Sequence, residues 1–173
     1  FRLGSEYIRL NVNEFTVTGV YTGKKRCAVQ GFLELSFKVQ GRDFQAAGDG
    51  ASKLKHVLQQ VGFPPELVRR VAIAAFEAEM NIVIHAYHGE LRITISPERI
   101  VVTAEDEGPG IPDIELAMQE GFSTAPPEVR EMGFGAGMGL PNIKRCADRL
   151  EIRSVVGRGT LLRAEFYHRS PAD

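Results

Sequence analysis

The sequence predicts an α+β fold, a two-layer sandwich in which a mixed sheet carries helices on one face. Three features lead there. Apolar and polar residues alternate through Leu33, Leu35, Phe37 and Val39 and through Leu91, Ile93 and Ile95, the period of half-buried strands, and the segments 150–156 and 161–166 close the chain as a hairpin. Leu54, Val57, Leu58 and Val61 recur at i, i+3, i+4 and i+7, and Val68, Val71, Ala72, Ala75, Ala78, Ile82 and Val83 continue at helical spacing. The resulting order, β-α-α-β-β-α-lid-α-β-β, contains no internal repeat and belongs to one layered domain.

The domain is expected to span 32–168, with 169–173 a short tail. Residues 1–31 form an extension whose order the pattern does not set, although 12–21 can pair as a short hairpin through Thr18-Gly19 or Thr22-Gly23. Gly41-Arg42-Asp43 turns the first strand toward the first helix, which Gly62 ends. Pro64-Pro65-Glu66 starts the second helix: proline is tolerated in a first turn, and the carboxylate suits the helix dipole. That helix is expected over 65–87, with Gly89 as its stop. Pro97-Glu98 turns the next hairpin, whose second strand runs from Ile100 to Asp106. Residues 112–120 read as a short helix with Asp113 and Glu115 in its first turn. Residues 121–137 hold glycine, proline and serine with little periodicity, and a loop of this length inside a compact domain is usually a lid or a binding loop. Residues 140–149 are helical again, and Gly157-Arg158-Gly159 turns the last hairpin.

With 173 residues, 43% of them hydrophobic and 25% charged, the chain can bury one substantial core. A net charge of −1 gives no electrostatic footprint for nucleic acid. The one basic run, Lys24-Lys25-Arg26, reads as a solvated turn. No stretch reaches the roughly 18–20 apolar residues of a membrane span, and no signal-peptide pattern opens the sequence, so a cytoplasmic location is expected. Cys27 and Cys146 lack metal-ligand spacing and read as free thiols.

The run from Glu77 to His85 sets Glu77, Asn81 and His85 at i, i+4 and i+8, a row up one side of the second helix. Such a row is either the polar edge of an amphipathic helix or a functional face. Glu79 lies roughly 200° around the helix from Glu77 and is assigned to structure. Gly133-Phe134-Gly135-Ala136-Gly137-Met138-Gly139 allows close main-chain approach directly before a helix N-terminus, where unpaired N–H groups suit phosphate. A flexible linker has the same composition, and the run lacks both the Walker A lysine and a preceding strand. Asp106-Glu107-Gly108-Pro109-Gly110, taken alone, is a tight turn capped by aspartate. Gly159-Thr160 alone carries little.

Together and in this order, these four segments resemble the ATP-site boxes of the GHKL superfamily, which includes gyrase, the mismatch-repair ATPases and the histidine kinases. Within it the chain is most similar to the anti-sigma serine/threonine protein kinases of sporulation and stress signalling. The domain is minimal, the boxes are closely spaced, and Phe122-Ser123-Thr124-Ala125-Pro126 looks like that family's Phe-Thr-Ser segment. The resemblance covers roughly residues 32 to 167 and finds no counterpart in 1–31.

The resemblance implies a GHKL-type sandwich with a glycine-rich lid over ATP, and a role for each matching residue. Asn81 would offer its amide oxygen to Mg²⁺, a hard cation usually held by few protein ligands plus substrate phosphates. Asp106 would accept a hydrogen bond from the adenine amino group; guanine would leave that carboxylate unpaired at a cost of about 1–3 kcal/mol, favouring ATP over GTP. Gly108 and Gly110 would let the backbone approach the base, and Thr160 would join the same network. Gly135, Gly137 and Gly139 would wrap the phosphates, and Thr124, Gly133, Met138 and Leu140 would also belong to the ATP site. Arg130 is the one cation between Thr124 and Gly139; it would either neutralise γ-phosphate charge or be a solvated lid arginine. His85 would be a phosphate contact or a packed histidine. Glu77 would act as general base toward a water or a protein serine attacking the γ-phosphate, the alternative being a carboxylate that only orders the magnesium site.

For partners, the resemblance implies a small anti-sigma-antagonist-like protein as phosphate acceptor, sequestration of a sigma factor as a further activity, and a homodimer; charge and hydropathy give the expectation of no nucleic-acid or membrane partner. Two other readings stand beside this one: the catalytic domain of a histidine kinase, and an ATP-gated binding module with little turnover.

Overall fold

A computed structural model describes residues 33–96 and 98–168, together with two short strands, β1 (Glu6–Tyr7) and β2 (Val20–Tyr21), that pair antiparallel. The turns anticipated at Thr18-Gly19 and Thr22-Gly23, the basic run 24–26, Cys27, Pro97 and the tail 169–173 lie outside the described residues. Cys146 is a free thiol whose pKa is raised, chiefly by burial.

Five strands form the main sheet: β3 (Leu33–Gln40), β4 (His88–Ile95), β5 (Arg99–Glu107), β6 (Arg149–Val155) and β7 (Gly159–Tyr167), in the order β3-β4-β5-β7-β6. All four pairings are antiparallel, which corrects the expected mixed sheet. Two pairs are hairpins. The β3 to β4 connection passes through two successive helices, α1 (Asp49–Val61) and α2 (Pro65–His85), so the chain reverses and returns against β3.

Alternation sets the register. Leu35, Ile93, Val102, Ala164 and Leu150 form one row across the sheet, and Phe37, Leu91, Ala104, Leu162 and Ile152 form the next. The helices cover this face, burying Leu54, Leu58, Val71 and Ala75 completely. A slip of one residue in any strand would turn its apolar row to solvent, so this packing fixes the register. The same alternation has a consequence for function. Past Ala104 and Leu162, the next inward positions on β5 and β7 are Asp106 and Thr160.

Glu79 fixes α1 to α2. It is only 3% exposed, and its carboxylate accepts N–H bonds from Gly48 (3.1 Å), Gly50 (3.2 Å) and Ala51 (2.9 Å) at the start of α1. Burial raises its pKa, and the three N–H groups partly offset that effect. Its separation from Glu77 around the helix gives it this structural work.

Several boundaries differ from expectation. α2 ends at His85 rather than 87. The short helix α3 is Ile114–Ala117, with the Asp113 side chain capping the Leu116 N–H at 2.9 Å. Inside the supposed loop lies a further helix, α4 (Pro127–Glu131). α5 is Gly139–Cys146, beginning one residue early and ending before 149. The segment 121–137 is also seated. Ala125 and Val129 pack with Met80 and Ile84 of α2, and Phe134 stacks on Phe44 with centroids 5.9 Å apart. Its two ends are tied where the Gly121 N–H donates to the Gly137 carbonyl at 2.9 Å.

Candidate active site

A cavity of about 450 Å³ opens between the inner face of the sheet, α2, α3 and the segment 121–139. That volume is in the range of small-molecule sites. Glu77, Asn81, His85, Asp106, Gly110, Thr124, Gly133, Gly135, Gly137, Met138, Gly139, Leu140 and Thr160 all line it. Residues up to 83 positions apart in sequence therefore meet around one space, counted from Glu77 to Thr160.

At the sheet end, the Thr160 N–H donates to Asp106 Oδ1 at 3.2 Å. Burial raises the Asp106 pKa, opposed by that N–H. The Thr160 hydroxyl lies 2.9 Å from Ser154 Oγ. Ser154 in turn donates to the Gly159 carbonyl at 3.0 Å and accepts the Ile111 N–H at 2.8 Å. With the serine proton committed to Gly159, the threonine hydroxyl is the donor of the pair and keeps lone pairs free to accept. Gly110 is left-handed at φ 71°, and a Cβ there would stand 2.4 Å from the Val155 carbonyl oxygen, so only glycine fits. Gly108 does not line the cavity. It packs behind Asp106 against Ala86, its N–H bonded to the Arg158 carbonyl at 3.1 Å, and it shapes the wall without facing a ligand.

At the other end, α2 presents Glu77 and Asn81 to the start of α5. A Cβ on Gly139 would lie 3.2 Å from Asn81 Oδ1 and 3.4 Å from Glu77 Oε2. Gly137, at φ 76°, has the Gly121 carbonyl carbon 2.5 Å from where its Cβ would be. These close approaches leave backbone, not side chains, along this wall, the surface that phosphate oxygens bind. Among the described residues, no lysine or arginine lines the cavity. Arg130 in particular points elsewhere: its guanidinium donates to the Ser123 carbonyl at 2.7 Å, bracing α4 against the start of the segment. Of its two expected places it takes the second here, an exposed arginine on the lid. His85 stands at the rim, its pKa lowered first by lost solvation and then by the Arg42 guanidinium. Both effects favour the neutral imidazole over the charged one.

Two residues of the site were not anticipated. Asn142 on α5 donates its amide to Glu77 Oε1 at 2.7 Å, and Ser154 anchors Thr160. Ser154 was findable, because the Gly157-Arg158-Gly159 turn pairs it with Thr160 across the hairpin. Asn142 had no such signal.

The residues fit Mg·ATP. The glycine-lined wall leaves main chain exposed where phosphates would lie, the half-buried Asp106 carboxylate at the opposite end is an acceptor suited to an amino group, and Asn81 offers an oxygen next to the glycine wall. No group of three or more His, Cys, Asp or Glu able to hold a metal occurs among the described residues, so a cation here would be held through Asn81 and substrate phosphates, as magnesium often is. An acceptor carboxylate at a sheet end, facing an anion-binding backbone wall across a helix that carries a carboxylate and an amide, defines a nucleotide-binding domain of the ATPase and kinase class. A family profile described as histidine kinase-like ATPase domain matches residues 45–166, and the chain belongs to that family.

Its relatives narrow the class. The chain is 36% identical over 114 residues to the serine/threonine-protein kinase RsbT of Bacillus subtilis (strain 168), covering 64% of this chain and 80% of that protein. It is 38% identical over 107 residues to the anti-sigma F factor of Thermoanaerobacter sp. (strain X514), covering 59% and 71%. The anti-sigma F factor of Pasteuria penetrans is 31% identical over 124 residues, covering 56% and 79%. The GHKL membership read from the four boxes is therefore right, and so is the branch of it.

Because burial raises the Asp106 pKa, acid should weaken ATP binding earlier than an ordinary aspartate would. With the ionised carboxylate as the proposed acceptor of the adenine amino group, affinity is expected to be full above the raised pKa and to fall as pH drops through it. Titrating ATP by calorimetry across mildly acidic pH checks this; Asp106→Asn should bind weakly with no such pH dependence.

Proposed function

We propose that this ATPase/kinase of the anti-sigma type transfers the γ-phosphate of Mg·ATP to a serine or threonine of a small antagonist-like partner protein. The observation that carries the reading is the convergence of Glu77, Asn81, Asp106, Thr160 and the glycine wall on one cavity. Asp106 and Thr160 hold and select adenine, and the backbone of 133–139 holds the phosphates. Asn81 would bind Mg²⁺, whose charge offsets that of the phosphates in a wall without lysine or arginine. Glu77 accepts the proton of the acceptor hydroxyl while that oxygen bonds to the γ-phosphorus. The bond from the γ-phosphorus to the β–γ bridging oxygen breaks, and ADP leaves. Phosphoryl transfer asks for positioning and charge neutralisation more than for covalent help from the protein.

The names of the relatives support a second role, binding of a sigma factor, and the working state we propose is a homodimer in the cytoplasm. No helix among the described residues is long and apolar enough to cross a membrane. The test is incubation of the chain with γ-labelled Mg·ATP and candidate partners. Acid-stable phosphoserine or phosphothreonine on a partner is the expected result. Acid-labile phosphohistidine would replace the reading with that of a histidine-kinase domain, and nucleotide binding without transfer would replace it with a gated binding module.

The segment 121–137 should act as the lid. Arg130 is exposed on α4, so trypsin is expected to cut there more slowly when Mg·ATP is bound. Equal cleavage rates with and without nucleotide would argue against a lid.

A further inference from the structure

Glu77 is not held by its own helix. Its Oε1 takes the Asn142 amide N–H at 2.7 Å, while its Oε2 lies on the side of Gly139, within 3.4 Å of where a Cβ on that residue would be. The Asn142 Oδ1 accepts from Arg145 Nη1 at 3.1 Å. Asn142 and Arg145 are three residues apart on α5 and so share a face. The other guanidinium nitrogen of Arg145, Nη2, pairs with Glu120. Glu120 immediately precedes Gly121, the residue whose N–H ties the two ends of the lid together through the Gly137 carbonyl.

We infer that Asn142 is a positioning residue for Glu77, oriented by Arg145, and that this chain of contacts links the base to the foot of the lid. The inference rests on the reading of Glu77 as general base. A glutamate side chain has three rotatable bonds and can point its carboxylate in many directions. A donor fixed to one oxygen leaves the other in a single place for an acceptor proton. The amide suits this task because it cannot take the proton itself. Arg145 fixes which way the amide faces: the guanidinium only donates, so the Asn142 oxygen must turn toward it and the NH₂ toward Glu77. Displacing the lid would pull on Glu120, release Arg145 and loosen the base. On this reading the base is held in place only while the lid is seated.

The experiment compares Asn142→Ala, the isosteric Asn142→Asp, Glu77→Gln, the double variant N142A/E77Q, and Arg145→Ala. The probe is single-turnover hydrolysis of γ-labelled Mg·ATP by the isolated chain, alongside calorimetric ATP affinity. Asn142→Ala and Asn142→Asp are expected to keep ATP affinity within about twofold and to slow hydrolysis about 10- to 100-fold, the loss of one hydrogen bond to a charged group. The double variant should be no slower than Glu77→Gln alone, because Asn142 acts through Glu77. Arg145→Ala, at an exposed position, should reproduce part of the loss at unchanged affinity. Wild-type turnover in both Asn142 variants, or losses that multiply in the double variant, would overturn the inference while leaving Glu77 as base. Wild-type turnover in Glu77→Gln would overturn both. Wild-type turnover in Arg145→Ala would sever the link to the lid.

Discussion

Glu77→Gln is expected to bind Mg·ATP with near-native affinity and to lose phosphoryl transfer by about 10²–10⁴-fold, the usual contribution of a positioned general base. That corresponds to about 3–5 kcal/mol of transition-state stabilisation. The amide keeps the size of the carboxylate and can still meet Asn142, now through its oxygen accepting the amide N–H. It cannot accept the proton of an attacking hydroxyl. The substitution should therefore separate turnover from binding, with kcat collapsing and the ATP dissociation constant unmoved. Transfer to a protein acceptor and calorimetry on the same preparation make the comparison. A variant that transfers at the native rate would remove Glu77 from the chemistry and leave it the task of ordering the metal site.

Asn81→Ala is expected to remove the magnesium dependence of nucleotide binding. In the native protein, affinity should rise on adding magnesium, because no lysine or arginine among the described residues lines the cavity to meet the phosphates. One turn of α2 separates Asn81 from Glu77, and a Cβ at Gly139 would nearly touch both side chains. The amide oxygen is thus the group on this side of the cavity that would hold the cation. Without it, titrations with and without magnesium should coincide at weak affinity. Retained magnesium dependence in the variant would mean that another group holds the ion.

The strands and both long helices were legible because their apolar periods are unbroken and their partners lie on one face. Box order made legible which distant residues line the one cavity. Asp106 and Thr160 continue strand alternation past the core, so sheet register delivers them together. Other features depended on contacts that no local pattern encodes. Helix α4 was unreadable because its apolar anchors, Val129 and the neighbouring Ala125 and Phe134, are matched by Met80, Ile84 and Phe44 far away in the chain. Charge alone leaves Arg130 open to the phosphates or to the lid surface, and its bond to the Ser123 carbonyl is a contact that no local pattern encodes. Antiparallel pairing of β3 with β4 follows from two intervening helices, each of which reverses the chain, and pairing direction is not written in either strand's own pattern. Asn142 is an ordinary polar residue on a short helix, and only the approach of α5 to α2 gives it a partner.

The outer margin of the sheet at β6 carries Arg149, Glu151 and Arg153 at alternate positions. Its far end is capped where the Gly157 N–H bonds the Pro109 carbonyl at 2.8 Å. A short border studded with both signs of charge is a poor template for seeding further strands. Polymerisation by side-to-side zippering is thus disfavoured along this border, and any self-association of the protein would have to recruit surface elsewhere.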